Sequence, residues 1–149
     1  MNPLNIRTGS AWTKAQIEDY LRTIEIPVRL GSISNGAPLV SSLWYLYEDG
    51  AIWCATRPDA RLIHWLEDSP RCAFEVAGDN MPYKGVRGQG TAVLDAAAGE
   101  LMLLRLIDRY LHDRESDFAR WLISRSEGEV AICIRPDWVN SWDFSGRMK

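Results

Sequence analysis

The spacing of apolar and polar positions changes period along this chain, and the changes mark out strands and helices. Residues 71–77 alternate, with Cys72, Phe74 and Val76 on one side, which is the period of a half-buried strand. Residues 38–47 and 51–56 are β-branched or aromatic and free of internal breakers, so each predicts a strand. Another runs from Ile26 to Ser34. Asn35-Gly36 and Asp49-Gly50 lie between the three and accept positive φ at both centres of a two-residue turn, so the strands form a tight antiparallel meander. Helical spacing appears in four places. Thr13 and Gln16 make a capping-box pattern ahead of Ile17, Tyr20, Leu21 and Ile24, and Pro27 ends that helix near Glu25. A second helix opens at Arg57-Pro58, carries Leu62, Ile63, Trp65 and Leu66, and stops at Ser69-Pro70. Asp95 caps a third through Leu111, with Leu101, Leu104, Ile107 and Leu111 on one face, and residues 116–124 form a short fourth that gathers Phe118, Trp121 and Leu122.

Residues 83–94 predict a strand that contains Gly85, Gly88 and Gly90. Glycines inside a strand signal a bulge, a sharp bend, or the close approach of another backbone or a ligand. Strands at 129–134 and 138–144 follow, separated by Pro136-Asp137. The order is α-βββ-α-ββ-αα-ββ. Short turns join most neighbouring strands, so the sheet is mainly antiparallel. Six to seven strands with flanking helices, without repeats or linkers, fit a small barrel occupying residues 1–149 as one domain.

Composition narrows the function classes. A net charge of −3 argues against nucleic acid or an anionic membrane as partner, because neutralising phosphates takes a basic surface. Seven tryptophans exceed the needs of one small core and point to an oligomer interface, a flat ligand, or both. Cys54, Cys72 and Cys133 are scattered through apparent strands and read as buried thiols in a reducing compartment. The first residues have no signal-peptide pattern and no run approaches membrane-spanning length, so a cytoplasmic protein is expected. His64 and His112 stand in no ligand-like spacing with cysteine or carboxylate, which predicts no metal site, and no serine sits in a nucleophile elbow.

One electrostatic constellation remains. Thr56, Arg57 and Arg61 bracket the start of the second helix, where free backbone N–H groups and the helix dipole favour an anion such as phosphate. Asp59 offers the competing arrangement: it caps the same amides and leaves two solvated arginines. Lys84 and Arg87 add positive charge in the glycine-rich strand. Gly88-Gln89-Gly90 lacks the spacing and context of a dinucleotide fingerprint.

Residues 38–45, the Asp49-Gly50 turn, residues 56–66 with Ser69-Pro70, the run from Gly85 to Ala92 and the closing residues 136–143 come in a recognisable order. Together they resemble the pyridoxamine 5'-phosphate oxidase-like FMN-binding split barrels over residues 13–144. The resemblance implies an antiparallel split β-barrel and a homodimer with FMN at the subunit interface. It implies that Ser41, Ser42, Leu43 and Trp44 run along the isoalloxazine edge and that Thr56, Arg57 and Arg61 hold the phosphate. Lys84, Arg87, Gln89 and Trp142 would approach the flavin from the partner subunit. Leu62 stands where the family often has lysine, and the chain lacks the Arg-Leu-His-type substrate motif of the oxidase itself. The expected function is therefore an FMN-dependent oxidoreductase of an unidentified small substrate other than pyridoxamine 5'-phosphate, with no catalytic side chain assigned. The alternatives are a deazaflavin-dependent reductase, whose cofactor has a longer acidic tail, and a flavin- or haem-binding module without turnover.

Overall fold

The computed structural model describes residues 4–149. Seven strands form one sheet in the order β2-β1-β5-β6-β7-β4-β3, every pairing antiparallel. The strands are β1 (Val28–Ser34), β2 (Ala37–Leu43), β3 (Leu46–Glu48), β4 (Ala51–Thr56), β5 (Arg71–Ala77), β6 (Lys84–Asp95) and β7 (Val130–Asp143). The helices are α1 (Lys14–Thr23), α2 (Arg61–Asp68), α3 (Gly99–Leu111) and α4 (Asp117–Ser124).

The expected turns form as their dipeptides dictate, with φ of +51° and +77° at Asn35 and Gly36 and +54° and +72° at Asp49 and Gly50. The capping box at Thr13 and Gln16 is made in both directions. Cys72, Phe74 and Val76 all face the interior of β5. A single large core gathers Ile17, Leu21, Val28, Leu30, Tyr45, Ile52, Val86, Ile132 and Ile134. Cys54, Cys72 and Cys133 are free and buried; burial pushes the Cys72 thiol up to about 11, so it stays protonated near neutrality.

Four elements differ from the sequence-based expectation. The stretch 38–47 is two strands, because Trp44 and Tyr45 leave the ladder: the Tyr45 N–H donates to the Tyr110 hydroxyl at 3.1 Å, which itself donates to the Ile26 carbonyl at 2.8 Å. Conversely, β7 passes through Pro136 unbroken. The register against β6 shifts between Gln89, paired with Trp138, and Gly90, paired with Pro136, so Asp137 is the extra residue of a bulge and the strand continues through the proline beside it. The Arg57–Ala60 segment is a turn closed by Ala60 N–H donating to the Arg57 carbonyl, so α2 begins four residues later than Arg57. Asp95 accepts from the amides of Ala97 and Ala98, ahead of α3, and α3 buries Met102, Leu103, Leu106 and Ile107 while Leu101 is 65% exposed.

Candidate functional site

Where β2 ends and β3 has not begun, the sheet opens a groove that α3 and α4 wall on the other side. Its volume is about 320 Å³, and it is lined by Ser42, Leu43, Trp44, Thr56 and Arg57 together with Leu106, Phe118 and Glu129. The size is within the range of small-ligand sites. One wall is an aromatic chain. Trp44 stacks on Tyr110 at 5.1 Å between centroids, meets Phe118 edge-on at 6.2 Å, and Phe118 in turn stacks on Trp121. The Tyr110 hydroxyl that displaces Tyr45 from the ladder therefore also fixes the ring behind Trp44. Of the four residues expected along a ring edge, Ser42, Leu43 and Trp44 line this groove. Ser41, paired with Leu30, does not line it. The Ser42 hydroxyl accepts from Arg29 at 2.6 Å.

The expected clasp of Thr56, Arg57 and Arg61 divides in two. Thr56 and Arg57 belong to the groove. The Arg57 guanidinium turns to the chain segment before β7, donating to the carbonyls of Arg125 and Glu127 and facing the Glu129 carboxylate at 3.9 Å. One of its terminal nitrogens is therefore tied to backbone carbonyls, which fixes the side chain towards that segment. Arg61 is exposed as the first residue of α2. Asp59 does not cap this helix: the N-cap is Ala60, without a side-chain hydrogen bond. The Ile63 N–H donates to the Ala60 carbonyl at 3.0 Å, so only the Arg61 and Leu62 amides of the first turn are left to solvent or to an anion, with the Arg61 side chain beside them.

Lys84, Arg87, Gln89 and Trp142 lie away from the groove, on the open face and edge of the sheet. Cross-strand register sets Ser42, Arg29, Glu75, Arg87 and Asn140 in one row, and Val40, Gly31, Ala73, Gln89 and Trp138 in the next. The small residues Gly31 and Ala73 make the second row a trough, part of a cleft of about 490 Å³. The Trp138 indole N–H donates to the Gln89 amide oxygen at 3.2 Å, and the Arg87 guanidinium lies 4.6 Å over the Trp142 ring. Lys84 and Trp142 line a separate cleft with Glu75 and Tyr83. Within one chain the expected residues therefore form a groove set and an open-face set, with Ser42 at the groove end of the row that carries Arg87.

Sequence reasoning missed the α3 and α4 contributions and, above all, Glu129. Its side chain is only 8% exposed, and burial raises its carboxyl above the usual carboxylate range, with Arg57 and Arg125 acting in the opposite direction. A charged residue just ahead of an apolar strand gave no local signal. Among the described residues, no group of three His, Cys, Asp or Glu side chains could hold a metal, and no helix is long and apolar enough to cross a membrane.

No protein-family model matches the sequence, and no curated protein matches it. Solved structures do match in shape. A conserved hypothetical protein from Mycobacterium tuberculosis superposes with a TM-score of 0.77 at 23% identity, covering 93% of this chain and 89% of that one. This chain has the split-barrel fold. An F420 reductase matches with a TM-score of 0.65 at 19% identity, over 82% of this chain and 94% of that one. A FAD-binding protein from Mesorhizobium loti matches at 0.62 and 20%, over 87% of this chain and 94% of that one. The split barrel is thus shared with an F420 reductase and a FAD-binding protein, at identities that establish the fold alone.

Proposed function

We propose that this split barrel is an FMN-dependent oxidoreductase, cytoplasmic and dimeric, acting on a small substrate other than pyridoxamine 5'-phosphate. The observation that carries the reading is an aromatic-walled groove bearing Ser42, Leu43, Trp44 and Thr56, from whose Thr56–Arg57 end the chain runs into an uncapped helix start bearing Arg61. A phosphorylated flat ring asks for those two features: apolar walls and a polar strand end for the ring, and free amides plus a cation for the phosphate. Bound there, a flavin would supply hydride or electron transfer through its ring, while the protein sets its position and polarity. Arg61 and the first amides of α2 would hold the phosphate; Arg57 instead orders the segment before β7.

Arg87, Gln89 and Trp142 on the open face, and Lys84 at the start of β6, would reach a flavin only from a second copy, which is why the reading includes a homodimer. Val40 is 69% exposed and Ile33 46% on that face, and Arg29, Glu75 and Arg87 alternate in sign beside them. The F420 reductase of the same fold favours a second reading, a deazaflavin reductase. Neither His64 nor His112 lines the groove, so a haem-binding module would draw an axial histidine from elsewhere.

Purification followed by an absorbance spectrum and mass analysis of the released ligand tests the proposal. A yellow protein releasing FMN, reduced by a nicotinamide nucleotide and reoxidised by an acceptor, supports it. Released F420 would replace FMN in the reading, and a protein that takes up haem but neither flavin would overturn it.

A further inference from the structure

Glu129 is out of keeping with the rest of the groove. Among the described residues it is one of four buried polar or charged residues, 6% exposed, and its neighbours along the groove include Leu103, Leu106, Phe118 and Leu122. Among the described residues no hydrogen bond reaches its carboxylate. The Ser126 hydroxyl, three residues back, pairs with Glu100 at 3.1 Å. Arg57 stays at 3.9 Å, beyond hydrogen-bond reach, while its donors serve the Arg125 and Glu127 carbonyls. The carboxylate is thus ion-paired only at long range and keeps acceptor positions turned to the groove, where a ligand's donor can reach them.

The position is held rigidly. A Cβ on Gly99 would meet the Glu129 carbonyl oxygen at 1.7 Å, so the first turn of α3 presses on this backbone because residue 99 has no side chain. Glu129 N–H donates to the Ser126 carbonyl at 3.1 Å, closing the turn ahead of β7. The acceptor is thus fixed at the end of an apolar, aromatic-walled groove.

We propose that the Glu129 end of this groove is a binding subsite for a small apolar molecule that presents an N–H donor, with the Glu129 carboxylate as the acceptor that recognises it. An amine, amidine or amide on a flat or aliphatic body has the required chemistry; its body packs on Phe118 and the leucines, and its donor completes the carboxylate. A ligand with only acceptors, such as a carboxylate, meets repulsion from Glu129. The subsite rests on the flavin reading for its role as the substrate end of the site, and on the groove alone for its binding.

Benzamidine and benzoate, equal in shape and opposite in charge, are the probes. Calorimetric or NMR titration of the purified protein is expected to show saturable benzamidine binding and none of benzoate at the same concentrations. Glu129→Gln should weaken benzamidine at least tenfold. Leu122→Trp, which fills the groove and leaves the carboxylate in place, should abolish it and guards against a folding defect in the first variant. Equal binding of the two probes, no saturable benzamidine binding, or unchanged binding in a folded Glu129→Gln protein overturns the subsite. FMN titration of the same samples separates the two ideas: FMN binding with no benzamidine discrimination removes the subsite alone, and discrimination without flavin binding removes the flavin reading alone.

Discussion

Two residues at the site are pulled in different directions by stability and function. Glu129 holds its proton more tightly in the folded protein than in the unfolded chain, because burial raises its carboxyl above the ordinary 4.5 and the arginines only partly compensate. Its contribution is therefore most favourable below the unfolded value and is lost as the pH rises through the folded one. Glu129→Gln removes that loss. Thermal melts should show the variant more stable than the parent near neutrality, with the gain closing as the pH falls below the unfolded value. A variant less stable at neutral pH would mean that the pairing with Arg57 outweighs desolvation. Arg61 carries the opposite expectation, since its exposed position makes it dispensable to the fold. Arg61→Ala should leave the melting temperature nearly unchanged and weaken FMN binding by about 1.5–3 kcal/mol, the worth of a charge-assisted hydrogen bond, in a fluorescence titration. Unchanged affinity would move the phosphate away from α2.

At the scale of elements, the groove exists because two strands stop obeying their local pattern. Trp44 and Tyr45 have strand propensity, yet the Tyr110 hydroxyl takes Tyr45 out of the ladder from 65 positions away. Tyr110→Phe leaves the buried Tyr45 amide without its acceptor and should cost about 1–3 kcal/mol in denaturant unfolding, with the Trp44 fluorescence environment altered. The β6–β7 pair shows the converse. Gly88 lies against Phe74 and the Trp138 carbonyl, where a Cβ would sit 2.6 Å from the ring and 2.4 Å from the oxygen. Gly88→Ala should therefore destabilise by roughly 1–3 kcal/mol through overpacking, also read by denaturant unfolding. What the sequence made legible was local: the turn dipeptides, the capping box, the alternation in β5 and the glycines of β6. What it hid was tertiary. No pattern near Pro136 announces that a register shift against β6 will let the strand continue, and none near Arg57 tells that its guanidinium reaches backbone carbonyls at 125 and 127 rather than a ligand. The buried face of α3 was hidden for the same reason, because leucine fills both the core-facing and the exposed stripe of that helix. Glu129 was invisible because its significance lies in neighbours from α3 and α4, not in its own surroundings along the chain.

For the whole molecule the question is whether the groove is complete in one chain. The residues expected to contact one flavin fall into two sets, one in the groove behind α3 and α4 and one on the open sheet face. If one flavin touches both sets, binding and pairing are linked, and dimerisation stabilises the holo state by mass action. Val40 sits on the open face, outside the groove, so it separates the possibilities. Val40→Lys buries a charge in any interface formed there, yet sits on an exposed position that tolerates it in the monomer. Sedimentation should find the parent protein dimeric and the variant shifted towards monomer. FMN affinity should fall with it, although the Ser42–Trp44 end of β2 and the start of α2 are untouched. A monomeric parent that binds one FMN per chain with unchanged affinity in Val40→Lys would remove Lys84, Arg87, Gln89 and Trp142 from the site. The trough across Gly31 and Ala73 would then be a feature of the surface alone.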